Sequence, residues 1–149
     1  MSAPLDIGPA QVDEREAVLA LLTQHHLPTD GLDAHWETIY VLREAGQVVG
    51  CAGLEVYEEG ALLRSVAIDD QHRGRGLGQV ATRAAIAEAG RLELPALYLL
   101  TTTADGFVPK FGFERIGRTD VPASVQQSIE FTSACPASAV VMRKSLTRV

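Results

Sequence analysis

The chain has 149 residues, 46% apolar and 21% charged, with a formal net charge of −6. This length suits one domain over 1–149 with a buried core, and the composition excludes a disordered chain. No apolar run reaches the length of a membrane span, and the acidic balance argues against nucleic-acid binding.

The N-terminal stretch MSAPLDIGPA has no basic region followed by an apolar run, so no secretory signal is expected. Cys51 and Cys135 stand far apart without CxxC or histidine spacing. They read as free thiols in a reducing compartment with no structural metal, so a cytoplasmic protein is expected.

A short strand at 5–8 is closed by Pro9. From Val12 to His25, the apolar positions Val18, Leu21 and Leu22 fall at helical spacing, with Asp13, Glu14 and Glu16 in the first turn. LPTDGL at 27–32 is turn chemistry. The segment TIYVLREAGQVVGCAGLEVY reads as two strands joined at EAGQ, and a turn at 58–60 leads into a third strand, ALLRSVAI. Strands this close predict an antiparallel meander. A helix over 76–90 follows, with Leu77, Val80, Ala81, Ala84 and Ala85 inward. After Pro95, ALYLL reads as a strand buried on both faces. A short helix at 104–111 and strands at 113–117 and 138–143 complete the order β-α-β-β-β-α-β-α-β-β, an α/β (α+β) chain with a mixed sheet.

Between the third strand and its helix lies QHRGRGLGQ, with Gly74, Gly76 and Gly78 at every second position. A helix start carries unpaired N–H donors backed by the helix dipole, and side chains lacking Cβ let an anion approach them. Strand, glycine spacing and helix onset together predict a phosphate site, to which Arg73 and Arg75 add charge. The spacing is Gly-x-Gly-x-Gly, and no P-loop lysine is present, which sets aside the two better-known phosphate loops.

The run from Arg73 to Gly78 resembles the Arg/Gln-x-x-Gly-x-Gly/Ala signature of the GNAT N-acetyltransferases. The strand before it and FGFERI after it sit where that family has its cofactor strand and its Gly-Phe element, and the resemblance extends from about Leu5 to Leu146. It implies the GNAT fold, a mixed and mostly antiparallel central sheet splayed in a V and flanked by helices. It also implies acetyl-CoA as acetyl donor, with the diphosphate on the amides of Arg73, Gly74, Arg75, Gly76, Leu77, Gly78 and Gln79. The pantetheine arm would pair with Val66, Ala67 and Ile68 as an added strand does. Lys110 either reaches the adenosine phosphates or is solvated.

Two stretches narrow the resemblance. LYLLTTTADGFVPKFGF is similar to the acetyl-amino-acid synthase branch. DVPASVQQSIEFTSACPASAVVM, with LLRS upstream, is similar to N-acetyltransferases found with arsenic-resistance genes. Together they imply the amine of an amino-acid-like acceptor, including an arsenic- or phosphorus-containing amino acid.

Acetyl transfer to an amine needs a proton acceptor, stabilisation of an oxyanion and a thiolate leaving group. Glu55 is the lone acid in an apolar strand, which makes it the candidate base or else a residue of the solvent face. Arg64, in an otherwise core strand, suits an acceptor carboxylate or an internal ion pair with Glu55; Ser65 stands beside it. His35 and Trp36 wall the acceptor site or belong to the core. Among Thr101, Thr102 and Thr103, one caps a helix and another, taken as Thr102, faces the acceptor. His25 and His26 are expected to cap the first helix. The tyrosine that many GNAT members carry four residues before the glycine of the Gly-Phe element is Val108 here, with Tyr57 and Tyr98 as substitutes. A polyamine or peptide N-terminus as acceptor, and a non-catalytic CoA-binding sensor, remain open, as do monomer and homodimer.

Overall fold

The computed structural model describes residues 5–27, 29, 31–72, 76–101, 112–128 and 139–146. Seven strands form one sheet: β1 (Leu5–Pro9), β2 (Ile39–Glu44), β3 (Gln47–Tyr57), β4 (Gly60–Ile68), β5 (Ala96–Thr101), β6 (Glu114–Ile116) and β7 (Val140–Ser145). Their order is β1-β2-β3-β4-β5-β7-β6. Only β4 and β5 pair in parallel; the other neighbours are antiparallel. The expected meander is β2 to β4, and the expected mixed, mostly antiparallel sheet with flanking helices is present.

Side chains alternate between the two faces of a sheet, and each face has its own cover. Helix α2 (Leu77–Arg91) lies over Leu42, Val49, Leu54, Ala61, Leu63, Leu97 and Leu99, with Ala81, Ala85 and Ala89 against them. Small residues on α2 let it approach the sheet closely. On the other face, Val18, Leu21 and Leu22 of α1 (Arg15–Gln24) cover Ile39, Val41, Cys51 and Ala67. Further along that face, Val121 and Val125 close over Leu62, Tyr98 and Val141. Val125 belongs to the short helix α3 (Ala123–Gln126).

Gly60 makes the parallel pairing of β4 with β5 possible. A Cβ there would sit 2.8 Å from the carbonyl oxygen of Ala96 and 3.0 Å from the Tyr98 ring, so any larger residue would push β5 away.

Several boundaries differ from the sequence reading by one or two residues, and new elements appear. The first helix opens with a 3-10 turn at Val12–Glu14, and α1 begins at Arg15. The last strand runs over Val140–Ser145 rather than 138–143, because its register is set by pairing with β5 and β6. A 3-10 segment at Asp33–Thr38 and helix α3 are additions. The expected helix at 104–111 lies outside the described residues. Among the described residues, no helix is long and apolar enough to cross a membrane.

Candidate active site

The site grows from the way β4 leaves β5. The two strands pair only at Ala61↔Leu97, Leu62↔Tyr98 and Leu63↔Leu99. On its other side β4 stays with β3, but the register slips. Gly53 opposes Arg64 and Cys51 opposes Ala67, so β4 holds Ser65 and Val66 where β3 holds only Ala52. This is a β-bulge, which bends and twists the strand that carries it. Ser65 takes the strain with φ +60°, a left-handed conformation uncommon for a residue with a side chain. Beyond the bulge, among the described residues, β4 has a free edge.

Backbone geometry shows which groups line that edge. The N–H of Asp69 donates to the carbonyl of Val49 at 2.8 Å, which makes Gly50↔Ile68 a non-hydrogen-bonded pair. The N–H and C=O of Ile68 therefore point away from β3, out of the free edge. By the same alternation those of Ala67 turn inward to β3, and Val66 lies in the bulge itself, where the alternation is broken. Nε2 of His25 donates to the Ile68 carbonyl at 2.7 Å, with Asp70 3.8 Å away. His25 stands at the C-cap of α1 as expected, its backbone N–H donating to the Leu21 carbonyl, but its side chain goes to the edge of β4 rather than to the carbonyls of its own helix. The reason is position: α1 ends against Ala67, one residue from that carbonyl.

The end of β4 feeds the start of α2. Gly76 is the residue before the helix, at φ +76°, with no side-chain cap and no heavy atom within 4 Å of where a Cβ would stand. Among the described residues, the first N–H donors of α2, from Leu77, Gly78 and Gln79, therefore have no side chain of the N-cap residue to receive them. Gly78 lies beside Ile68, a Cβ there being 3.9 Å from the Ile68 side chain. A free strand edge running into an uncapped helix start of 15 residues fits an extended thioester arm that ends in a diphosphate. Arg73, Gly74, Arg75, Thr102 and Lys110, and Val108 of the Gly-Phe segment, lie outside the described residues.

Beside the slot that opens where β4 parts from β5 beyond Leu63↔Leu99, on the face covered by α1 and α3, a charged centre is buried. The side chains of Glu55 and Arg64 have no exposed surface, and Arg64 Nη1 donates to Glu55 Oε2 at 2.7 Å. Nε of Arg64 donates to Ser65 Oγ at 2.9 Å. The phenol of Tyr57 donates to Glu55 Oε1 at 2.5 Å, and Ser128, itself buried, also hydrogen-bonds Glu55. Burial pushes the Glu55 carboxyl up, but hydrogen bonds from Ser128, Tyr57 and Arg64 outweigh it and hold the group below its ordinary range. Glu55 is a carboxylate. Burial, reinforced by the Glu55 charge, pushes the Tyr57 phenol well up.

His35 stands over this centre. Its Nε2 is 3.7 Å from Glu55 Oε1, and its ring meets the edge of Tyr57 with centroids 5.8 Å apart at 61°. Trp36 turns the other way and packs into the α1 core. Tyr98 is core beneath Val121 and Val125. Cys51 is a free, buried thiol raised to about 12 by burial, and its S–H donates to the Ser65 carbonyl at 3.2 Å.

The structure thus brings Glu55, Arg64 and Ser65 together and sets Val66, Ala67, Ile68, Gly76, Leu77, Gly78 and Gln79 along one path. Sequence reasoning singled out the segment that carries Ser128 but not Ser128 itself, nor the helical turn at Ala123–Gln126. It also missed Thr38, whose hydroxyl donates to the Leu54 carbonyl at 2.5 Å, with the His35 carbonyl a second, longer acceptor at 3.1 Å.

Known structures share this architecture. The N-acetylglutamate synthase of Neisseria gonorrhoeae, solved with coenzyme A and N-acetyl-glutamate, is 18% identical with a TM-score of 0.82; the match covers 99% of this chain but only 36% of that one. A Mycobacterium tuberculosis protein solved with CoA is 22% identical with a TM-score of 0.81, over 95% of this chain and 99% of that one. An Escherichia coli ribosomal-protein alanine N-acetyltransferase is 15% identical with a TM-score of 0.74, over 98% and 96%. At these identities the likeness is one of fold. The model of the acetyltransferase (GNAT) domain matches residues 35–115, more than half of the chain, and the chain belongs to the GNAT family of N-acetyltransferases.

Proposed function

We propose that the protein transfers an acetyl group from acetyl-CoA to the amine of a small amino-acid-like acceptor, and that arsenic- or phosphorus-containing amino acids fall within that class. The observation that carries the reading is the free edge of β4 at Val66–Ile68 running into the uncapped start of α2. In this reading the pantetheine arm pairs along that edge and the diphosphate rests on the amides of Gly76 to Gln79, with Arg73, Gly74 and Arg75 completing the loop and Lys110 near the adenosine phosphates. The bulge at Ser65 holds the thioester at the inner end of the slot. Two of the structures with the same fold were solved with CoA, one of them with N-acetyl-glutamate, which supports an amino-acid-like acceptor. Thr102 is assigned to the acceptor side, and Trp36, the other residue expected there, instead serves the α1 core.

Glu55 and Arg64 act as a pair in this scheme. Arg64 helps keep Glu55 ionised in a place where a lone carboxylate would otherwise take up a proton. Arg64→Lys separates this from a direct hold on an acceptor carboxylate. An increased acceptor KM assigns that hold to Arg64, and an unchanged KM with lowered stability confines Arg64 to Glu55.

The test of the function is CoA release from acetyl-CoA over a panel of glutamate, other amino acids, phosphinic and arsinic amino acids, a polyamine and a short peptide, with a no-acceptor control. Turnover confined to carboxylate-bearing amines is expected. Turnover on the polyamine or the peptide alone would replace the acceptor class. The peptide arm is included because a peptide-alanine acetyltransferase shares the fold. Tight acetyl-CoA binding without turnover on any acceptor would make the protein a CoA sensor.

A further inference from the structure

The buried carboxylate beside the slot cannot itself meet an acceptor. Glu55 has no exposed surface, and its two oxygens already receive Arg64, Tyr57 and Ser128. The group that connects it with the open side is His35, whose side chain is 23% exposed and whose Nε2 lies 3.7 Å from Glu55 Oε1. We propose that His35 is the catalytic base of acetyl transfer and that Glu55 orients it; the inference rests on the acetyl-transfer reading above.

Several independent features hold the ring in place. The 3-10 segment Asp33–Thr38 is broken at His35 itself, with φ −120° and ψ 21°, which turns its side chain out of line with its neighbours. Thr38 pins the segment to β3 by donating its one hydroxyl proton to the Leu54 carbonyl at 2.5 Å, with the His35 carbonyl a second, longer acceptor at 3.1 Å. The neighbouring Trp36 anchors it in the α1 core. Tyr57 meets the ring edge to face, and the Tyr57 hydroxyl binds the same Glu55 oxygen that faces His35. A ring that meets Tyr57 edge-on, carried by an anchored segment above a buried carboxylate, has the arrangement that a base with an orienting acid requires.

The charged and titratable groups facing His35, among the described residues, are Glu55 and Tyr57 of β3, with Arg64 of β4 behind Glu55. Asp33, on the segment of His35, is turned to Arg15 at 2.8 Å. With Nε2 toward Glu55, the proton is taken at Nδ1. The amine nitrogen forms its bond to the thioester carbon, the carbon–sulfur bond breaks with the electron pair leaving on sulfur, and the amine proton passes to the imidazole. Glu55 then faces an imidazolium, a charge it stabilises. A separation of 3.7 Å in the free protein is compatible with this, because such contacts tighten when substrates bind.

The experiment is the pH dependence of turnover at saturating acetyl-CoA for the wild type, His35→Gln and His35→Ala, with thermal melting as a check on folding. The expected result is a kcat lowered about 100-fold or more, an acetyl-CoA KM changed by less than about twofold, loss of the acidic limb in His35→Gln, and partial recovery of His35→Ala on adding imidazole. A purely structural histidine would lower stability without removing the limb. A His35→Gln kcat within about threefold of the wild type, with the acidic limb intact, overturns the proposal and leaves acetyl transfer standing. A wild type that binds acetyl-CoA and acetylates nothing overturns both together.

Discussion

Two of the arginine–glutamate pairs that strands of this sheet make, Arg43–Glu14 and Arg64–Glu55, differ in their surroundings, which makes them different devices. Arg43 on β2 donates Nε and Nη2 to the two oxygens of Glu14 at 2.6 Å each, Nη1 to Asp6 at 2.9 Å and Nη2 to the Pro9 carbonyl. Among its partners on the described residues, Arg64 on β4 donates to Glu55 at 2.7 Å and to Ser65 at 2.9 Å. The first pair is bidentate. It is nonetheless open to water, with Asp6 68% exposed and both Arg43 and Glu14 touching solvent. The second has no exposed surface. Water dissipates a charge that loses its partner at the surface; nothing does so in the buried centre. A surface pair fastens an edge strand, whereas a buried pair commits its surroundings to a charge.

The sharpest way to break the comparison is to remove the carboxylate from the buried pair. Glu55→Gln is expected to cost about 3–5 kcal/mol by denaturant unfolding, because Arg64 loses a charged partner with no water to replace it. Acid titration gives the same contrast. The folded-state pKa of Glu55 lies below its ordinary 4.5. Its contribution is therefore fully present above about pH 4.5 and is lost as pH falls through the folded value. Stability measured from pH 6 downward should fall more steeply in the wild type than in Glu55→Gln. Equal slopes would mean that the pair contributes nothing to acid sensitivity.

A smaller effect is expected from the strap above the pair. Thr38→Val keeps the shape of the side chain and removes the hydroxyl bond to Leu54 with its longer branch to His35. A loss of about 1–2 kcal/mol is expected, with kcat falling more than the acetyl-CoA KM changes. An unaltered kcat would show that the 3-10 segment keeps His35 in place without this strap.

Most of what was legible in the sequence was local. The meander showed because its turns and apolar runs lie within a few residues of one another, and the glycine spacing before α2 showed because a helix start needs only its own backbone. Glu55 and Arg64 stood out as polar residues in apolar strands. Their meeting follows from the hairpin register, in which Glu55 opposes Leu62 and Arg64 stands two residues further on the same face; what no local pattern announces is the bulge beyond them, at Ser65 and Val66. Ser128 was out of reach for a similar reason. Its partner is on β3, and the segment between them is drawn in by Val121 and Val125 closing on Leu62 and Tyr98. His25 shows the limit from the other side. Its position at a helix end was read correctly, yet its partner is a strand carbonyl that only the splay of β4 leaves open.

The smallest effect belongs to the surface pair, and salt is what distinguishes it. Arg43→Gln removes the bonds to Glu14 and Asp6 and loosens β1, yet about 1 kcal/mol is expected. Glu14 is held below its ordinary range first by the Arg43 hydrogen bond, so its share, like that of Glu55, is present above about pH 4.5 and lost below. The two differ in screening. Ions reach Asp6 and the rim of Glu14, so the cost of Arg43→Gln should shrink between low and high salt. The cost of Glu55→Gln should not, because no ion approaches a side chain without exposed surface. Denaturant midpoints of both variants at the two salt concentrations therefore read the difference between the pairs directly. If the two costs fell in parallel, the centre beneath His35 would be as wet as the edge of the sheet, and a buried carboxylate orienting the base would lose its physical basis.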